Sequence, residues 1–310
     1  MKKIKIYFDE TEDILDICYD NVFKAVFARD TPISLRALSK LISALIGREI
    51  TVVSIKANEP PIENIRDRQI SFDINCIAKN GELINVEMSF NPGPFEPVRM
   101  EFHAGKLFTG QDIKGKGKTF ENLKQAYQIT ILAKKKFFKD KEFFHSFEYY
   151  DPIREVSLNG KTRIISLELS KLDDIVGKPV DEMSAQERWA IYFRYSIDKS
   201  KRKIINKILE LEDGIAMASE LLIKISKDEM ERARLMSEYK YELDTQNKLV
   251  NAKREGIKKG RAEGIREGKA EGIREGKAEG IKEVQRYILD LIEQGLTREE
   301  IKKKIEKNND

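Results

Sequence analysis

From Gln69 to Asn91 apolar and polar positions alternate on both sides of Asn80-Gly81, a pattern that predicts a β-hairpin. In the first arm Phe72, Ile74, Cys76 and Ala78 share one face, and Ser71, Asp73, Asn75 and Ile77 the other. In the second arm Ile84, Val86, Met88 and Phe90 alternate with Leu83, Asn85, Glu87 and Ser89. Asn-Gly supports either a two-residue turn pairing Lys79 with Glu82 or a three-residue turn with a Gly bulge pairing Ala78 with Glu82. The two registers differ by one residue, and such a slip turns one arm's apolar set to the wrong face. Only the second sets Ile74 beside Val86 and Phe72 beside Met88.

The same reading places the other elements. Residues 9–28 carry Ile14, Leu15, Cys18, Val22, Phe23, Val26 and Phe27 at helical spacing. Thr31-Pro32 opens a second helix, through Leu45, that Gly47 closes. Residues 50–57 are rich in β-branched side chains and predict a strand, which Pro60-Pro61 separates from the hairpin. A helix follows over 97–113, then strands over 126–133, 143–150 and 162–169. The order is that of an α/β fold with a mixed central sheet flanked by helices. From Ser184 strand patterns cease, and the remainder reads as an all-α C-terminal extension.

Within that extension residues 263–278 are two identical copies of EGIREGKA, and glycine recurs at 256, 260, 264, 268, 272, 276 and 280. As a helix this stretch loses roughly 0.8 to 1 kcal/mol per glycine relative to alanine, and Glu–Arg or Glu–Lys pairs return only about 0.2 to 0.5 kcal/mol each. A four-residue period also drifts about 40° per step around a helix. The array therefore reads as a spacer of variable length, weakly helical or stabilised by a partner, with a self-associating glycine-faced helix as the alternative. The tail over 287–305 predicts two short helices separated by Gly295, the second opened by a Thr297/Glu300 capping box. The expected domains are 1–180, a helical region 181–250, the spacer 251–282 and short helices 283–310, the C-terminal helices being a candidate homo-oligomer contact.

Composition narrows this picture little. The net charge of +4 over 310 residues leaves nucleic-acid binding to local patches. Two cysteines, Cys18 and Cys76, and two histidines, His103 and His145, cannot assemble a structural zinc site. No apolar run is long enough for a signal peptide or a membrane span, so the expectation is a soluble cytoplasmic protein.

Chemistry enters through the hairpin. The three-residue register sets Asp73 opposite Glu87, where side chains have Cβ atoms about 4.5 to 5.5 Å apart. Two carboxylates so placed repel unless one is protonated or a cation lies between them. Two solvated strand residues on an exposed face are the plain alternative. Carboxylates on a rigid hairpin suit Mg²⁺, which keeps several waters and takes one or two carboxylates plus substrate phosphate, and such an ion activates water for attack on a phosphodiester.

Several stretches together resemble a known family: DNVFKAVF at 20–27, FDI at 72–74, VEM at 86–88, a helix beginning near Arg99 with Gln111 near its end, ENLKQAYQITIL at 121–132, and the glycine-rich array. In order and spacing they are similar to the PD-(D/E)XK nuclease family of transposases and recombination-promoting nucleases. The resemblance implies a restriction-endonuclease-like core and Mg²⁺-dependent cleavage of DNA, with Asp73 and Glu87 as metal acids and Asp20 assisting. The family places Lys or Gln two positions after the second acid, where this chain has Ser89. A serine supplies no positive charge, so Lys106, Gln111 or Lys24 is expected to reach the site. A catalytically silent DNA-binding or scaffolding protein is the rival reading.

The run GQDIKGKGKT lacks P-loop spacing and follows a helix, so no nucleotide site is expected there. Lys114, Lys116 and Lys118, and Lys134 to Lys136 with Lys139, are candidate contacts to DNA phosphates, with solvated surface as the equal alternative. His103 and His145 read as structural.

Overall fold

In this computed structural model the described residues are 6–56, 73–113 and 117–307. Pro60-Pro61, the first four residues of the expected hairpin with Phe72 among them, Lys114 and Lys116 lie outside them. The chain divides into two compact units, Met1–Lys240 and Tyr241–Asp310.

In the first unit α1 (Asp20–Phe27) and α2 (Pro32–Ile46) precede β1 (Val52–Ile55), β2 (Ile74–Ala78) and β3 (Leu83–Ser89). Then come α3 (Glu96–Thr109), β4 (Ala126–Leu132), β5 (Phe144–Phe147), a small β6–β7 ribbon (Tyr150–Asp151, Val156–Ser157) and β8 (Thr162–Glu168). Helices α4 (Ala185–Tyr195), α5 (Arg202–Leu211) and α6 (Asp213–Lys227) complete it, with the start of α7 (Glu229–Glu293). The main sheet is six-stranded and mixed, ordered β1-β2-β3-β4-β8-β5. Its centre, β3-β4-β8, is parallel, and both flanks are antiparallel. A mixed sheet with helices around it is the expected fold class, and it fits a restriction-endonuclease-like core.

The hairpin adopts the three-residue turn. Ala78 N–H donates to Glu82 O at 2.9 Å, Gly81 N–H donates to Ala78 O at 2.8 Å, and Gly81 takes φ +86°, a left-handed conformation that glycine adopts without steric cost. The ladder then runs Ile77 to Leu83, Cys76 to Ile84 and Ile74 to Val86. One further step puts Asp73 opposite Glu87.

The two sheet faces differ. On one, Ile74, Cys76, Ile84, Val86, Ile129, Ile131, Ile165 and Leu167 enter a core built with α1, α2 and the α4–α6 layer, where Phe23, Phe27, Trp189 and Phe193 form an aromatic cluster. The other face carries Asn75, Asn85, Glu87, Ser89, Gln128, Thr130, Ser166 and Glu168, all buried, and α3 lies across its β3, β4 and β8 strands.

Helix α1 begins at Asp20 and not near residue 9 as the periodicity predicts. Asp16 Oδ1 accepts from Cys18 N–H at 2.9 Å, a side-chain turn that competes with helix. Phe8, Leu15 and Ile17 are buried from irregular backbone. The first turns of α7 seat on this unit: Asn21 donates to Leu235 O, Arg29 pairs with Glu231, and the Tyr19 and Tyr239 rings stack with centroids 3.9 Å apart.

The second unit holds the rest of α7 and α8 (Arg298–Lys307). α7 passes through the glycine array and on to Glu293, so the first of the two predicted tail helices is the end of α7. Gly295 at φ +79° follows it, and Thr297 N–H and Oγ1 donate to Glu300 Oε2 at 2.9 and 2.7 Å at the start of α8. A Cβ added at any of the array glycines meets nothing within 4 Å beyond its own turn of helix backbone. Among the described residues no helix is long and apolar enough to cross a membrane.

Candidate active site

The acids gather at the C-terminal end of β3, beside the parallel centre of the sheet, where open α/β sheets place their ligands. Asp73, just before β2, accepts Met88 N–H at its Oδ2 (3.2 Å), and its Oδ1 lies 3.2 Å from Lys24 Nζ. Lys24 stands one helical turn beyond Asp20 on α1 and reaches its Oδ2 at 2.7 Å. Asp20 Oδ1 is buried without a hydrogen-bond partner among the described residues.

Glu87, fully buried, is held by α3. Its Oε1 contacts His103 Nδ1 at 2.5 Å and accepts from Asn85 Nδ2 at 3.0 Å, while its Oε2 accepts from Arg99 Nη2 at 2.9 Å. Arg99 turns its Nη1 to Glu96 Oε1 at 3.0 Å. From Glu87 the polar network continues sideways: Asn85 Nδ2 donates to Gln128 Oε1 at 2.9 Å and Gln128 Nε2 to Thr130 Oγ1 at 3.1 Å. The compensating charge that the opposed acids demand is thus supplied by side chains, Lys24 at Asp73 and Arg99 at Glu87.

A profile of the PD-(D/E)XK nuclease family transposase matches residues 17–252, from the segment before α1 into α7. The chain belongs to that family. No curated protein and no solved structure is found to match it. Membership implies interaction with DNA, and PD-(D/E)XK nucleases typically use divalent metals.

Of the residues expected at the site of this PD-(D/E)XK protein, the structure brings Asp73, Asp20 and Lys24 together, with Glu87 and the buried Ser89 on the same sheet face. Lys106 lies 5.9 Å from the Phe102 ring centre, and Gln111 spends its amide on the backbone of Lys124, donating to its O at 2.9 Å and accepting from its N–H at 2.7 Å. Neither is brought to the acids. Arg99, which marks a helix start in the resemblance, and His103, which reads as structural, are the side chains whose contact with Glu87 the sequence does not show. Their i, i+4 spacing on one side of the helix after the hairpin was the available signal. His145 pairs with Asp140 at 3.1 Å and stacks on Phe147, three strands from Glu87.

Electrostatics separates the acids. Burial, then the Asp20 charge, push the Asp73 pKa up to about 7, with Glu87 adding to the rise and Lys24 opposing it. Burial works against the Lys24 ammonium, yet Asp73 and Asp20 outweigh it and hold its pKa above the ordinary value. Negative charge is therefore in excess at Asp73 and Asp20. Among the described residues no three His, Cys, Asp or Glu side chains are grouped so as to hold a metal ion. A carboxylate pair with one orphaned buried oxygen instead fits an ion that completes its shell with waters and phosphate.

Proposed function

We propose that this protein hydrolyses DNA phosphodiester bonds with Mg²⁺ held by Asp73 and Asp20, in transposition or recombination. The observation that carries this is Asp20 Oδ1, a buried carboxylate oxygen without a hydrogen-bond partner among the described residues, beside a second acid whose own charge is strongly disfavoured. Bound there, the ion would supply Lewis-acid polarisation of the phosphate and a more acidic water. Glu87 fixes Arg99 through one guanidinium nitrogen while Glu96 holds another, and the Arg99 side chain stays 42% exposed, placed to meet a phosphate. Ser89 contributes a hydroxyl at the end of β3. Lys134, whose Nζ lies 5.0 Å from the Phe90 ring centre, and Lys135, which donates to Pro92 O at 3.2 Å, extend the positive surface along the loop after β4, where DNA backbone would lie. We assign residues 251–282 to a spacer and 283–310 to assembly.

Nicking of supercoiled plasmid tests this. Wild type is expected to nick with Mg²⁺ and not in EDTA, and Asp73→Asn to lose the activity at least a hundredfold. Equal nicking by both proteins overturns the assignment. Because Glu87 is taken up by Arg99 and His103, a second reading is DNA binding without cleavage, and Mg²⁺-dependent retention of DNA with no nicking would select it.

A further inference from the structure

Lys24 stands where Asp20 and Asp73 converge, 2.7 and 3.2 Å from their oxygens. Its single charge leaves the trio one negative charge in excess, in keeping with Asp20 Oδ1, which has no hydrogen-bond partner among the described residues. A divalent ion added beside Lys24 would instead give three positive charges against two negative ones. Cation and ammonium repel at such distances, so the two compete for the same acids.

On the reading that Asp73 and Asp20 hold the metal, we infer that Lys24 is an internal competitor of that metal. It fills the cation position in the metal-free protein and swings outward when the ion binds. Its four-methylene stem allows the movement, and its side chain, 29% exposed, already has an outlet to solvent. Repulsion between the metal-free acids is thereby reduced, at the expense of metal affinity.

Titrating the full chain with Mn²⁺ in the absence of DNA, by calorimetry or by the loss of free-ion paramagnetic signal, tests this without relying on activity. Lys24→Met is expected to bind Mn²⁺ at least tenfold more tightly than wild type, about 1.4 kcal/mol. Lys24→Arg, which keeps the charge, should bind no more tightly than wild type, and Asp73→Asn should lose binding. Should Lys24→Met fold poorly without metal, Lys24→Gln and the Mn²⁺-induced rise in melting temperature, larger in the variant than in wild type, give the same comparison. Equal or weaker binding by Lys24→Met or Lys24→Gln, with binding lost in Asp73→Asn, overturns the inference alone. Absence of Mn²⁺ binding in wild type and both neutral variants overturns the inference and the metal assignment together.

Discussion

Replacing Glu87 with alanine should damage the fold before it touches any chemistry. The carboxylate is inaccessible to solvent and engages Arg99, His103 and Asn85. Its removal costs these groups unequally. Arg99 is 42% exposed and keeps Glu96, so it loses little. His103 and the fully buried Asn85 lose one partner each and cannot replace it from bulk water, although Asn85 keeps Gln128. Depriving a buried polar group of a hydrogen-bond partner costs about 1 to 3 kcal/mol each. Taking roughly 3 to 5 kcal/mol in all, and about 2 to 4 °C per kcal/mol for a unit of this size, the melting temperature should fall by roughly 6 to 20 °C. Trp189, the one tryptophan of the chain and fully buried on α4, reports core unfolding by fluorescence. The measurement is made in EDTA, so that no metal contributes. A Glu87→Ala protein melting within about 2 °C of wild type, less than the shift expected for 1 kcal/mol, would show that Arg99 and His103 do not depend on this carboxylate.

Three further outcomes are expected. With its pKa pushed up to about 7, Asp73 keeps in the folded state a proton that the unfolded chain releases near pH 4, so between those values the fold binds the extra proton and stability falls as pH rises. In EDTA, wild type should therefore lose on the order of 3 kcal/mol relative to Asp73→Asn between pH 5 and 8; parallel pH profiles in urea unfolding would rule this out. Gly264→Ala and Gly272→Ala, where an added Cβ meets nothing, should each raise the helix content of the second unit and stabilise it by about 1 kcal/mol, and unchanged or reduced circular-dichroism signal at 222 nm would contradict the helix there. Gln111→Ala should leave Mg²⁺-dependent nicking within about twofold of wild type, less than 1 kcal/mol, since its amide holds the Lys124 backbone and not the acids; a tenfold loss would return it to the site.

The hairpin register could be read in advance because alternation and turn chemistry agree there: any slip would send Ile74, Cys76 and Ala78 to the polar face. The start of α1 could not, because Leu15 and Ile17 satisfy an apolar pattern from an irregular path that one Asp16 side-chain bond sets. Strand β4 was recognised as a buried run, yet its Gln128 and Thr130 fall on one face and continue the polar layer begun by Asn85 and Glu87, an alternation that its short apolar appearance conceals. Asp73 and Asp20 are identifiable from local pattern and resemblance. The pairing of Glu87 with Arg99 and His103 depends on how α3 is rotated over the sheet, which no short window of sequence contains. The same rotation and the loop after α3 decide that Gln111 meets Lys124 rather than the acids.

The octapeptide array has a consequence for variants of different length. Eight residues of α-helix advance about 12 Å and rotate about 800°, two full turns and some 80° more. Deleting or adding one EGIREGKA copy therefore acts on α7 as a screw does. It moves everything after Gly280 along the axis and swings it by nearly a quarter turn, so that four or five copies must change before the end of the helix points again in its original direction. Length variation in this protein is a change of heading as much as of reach.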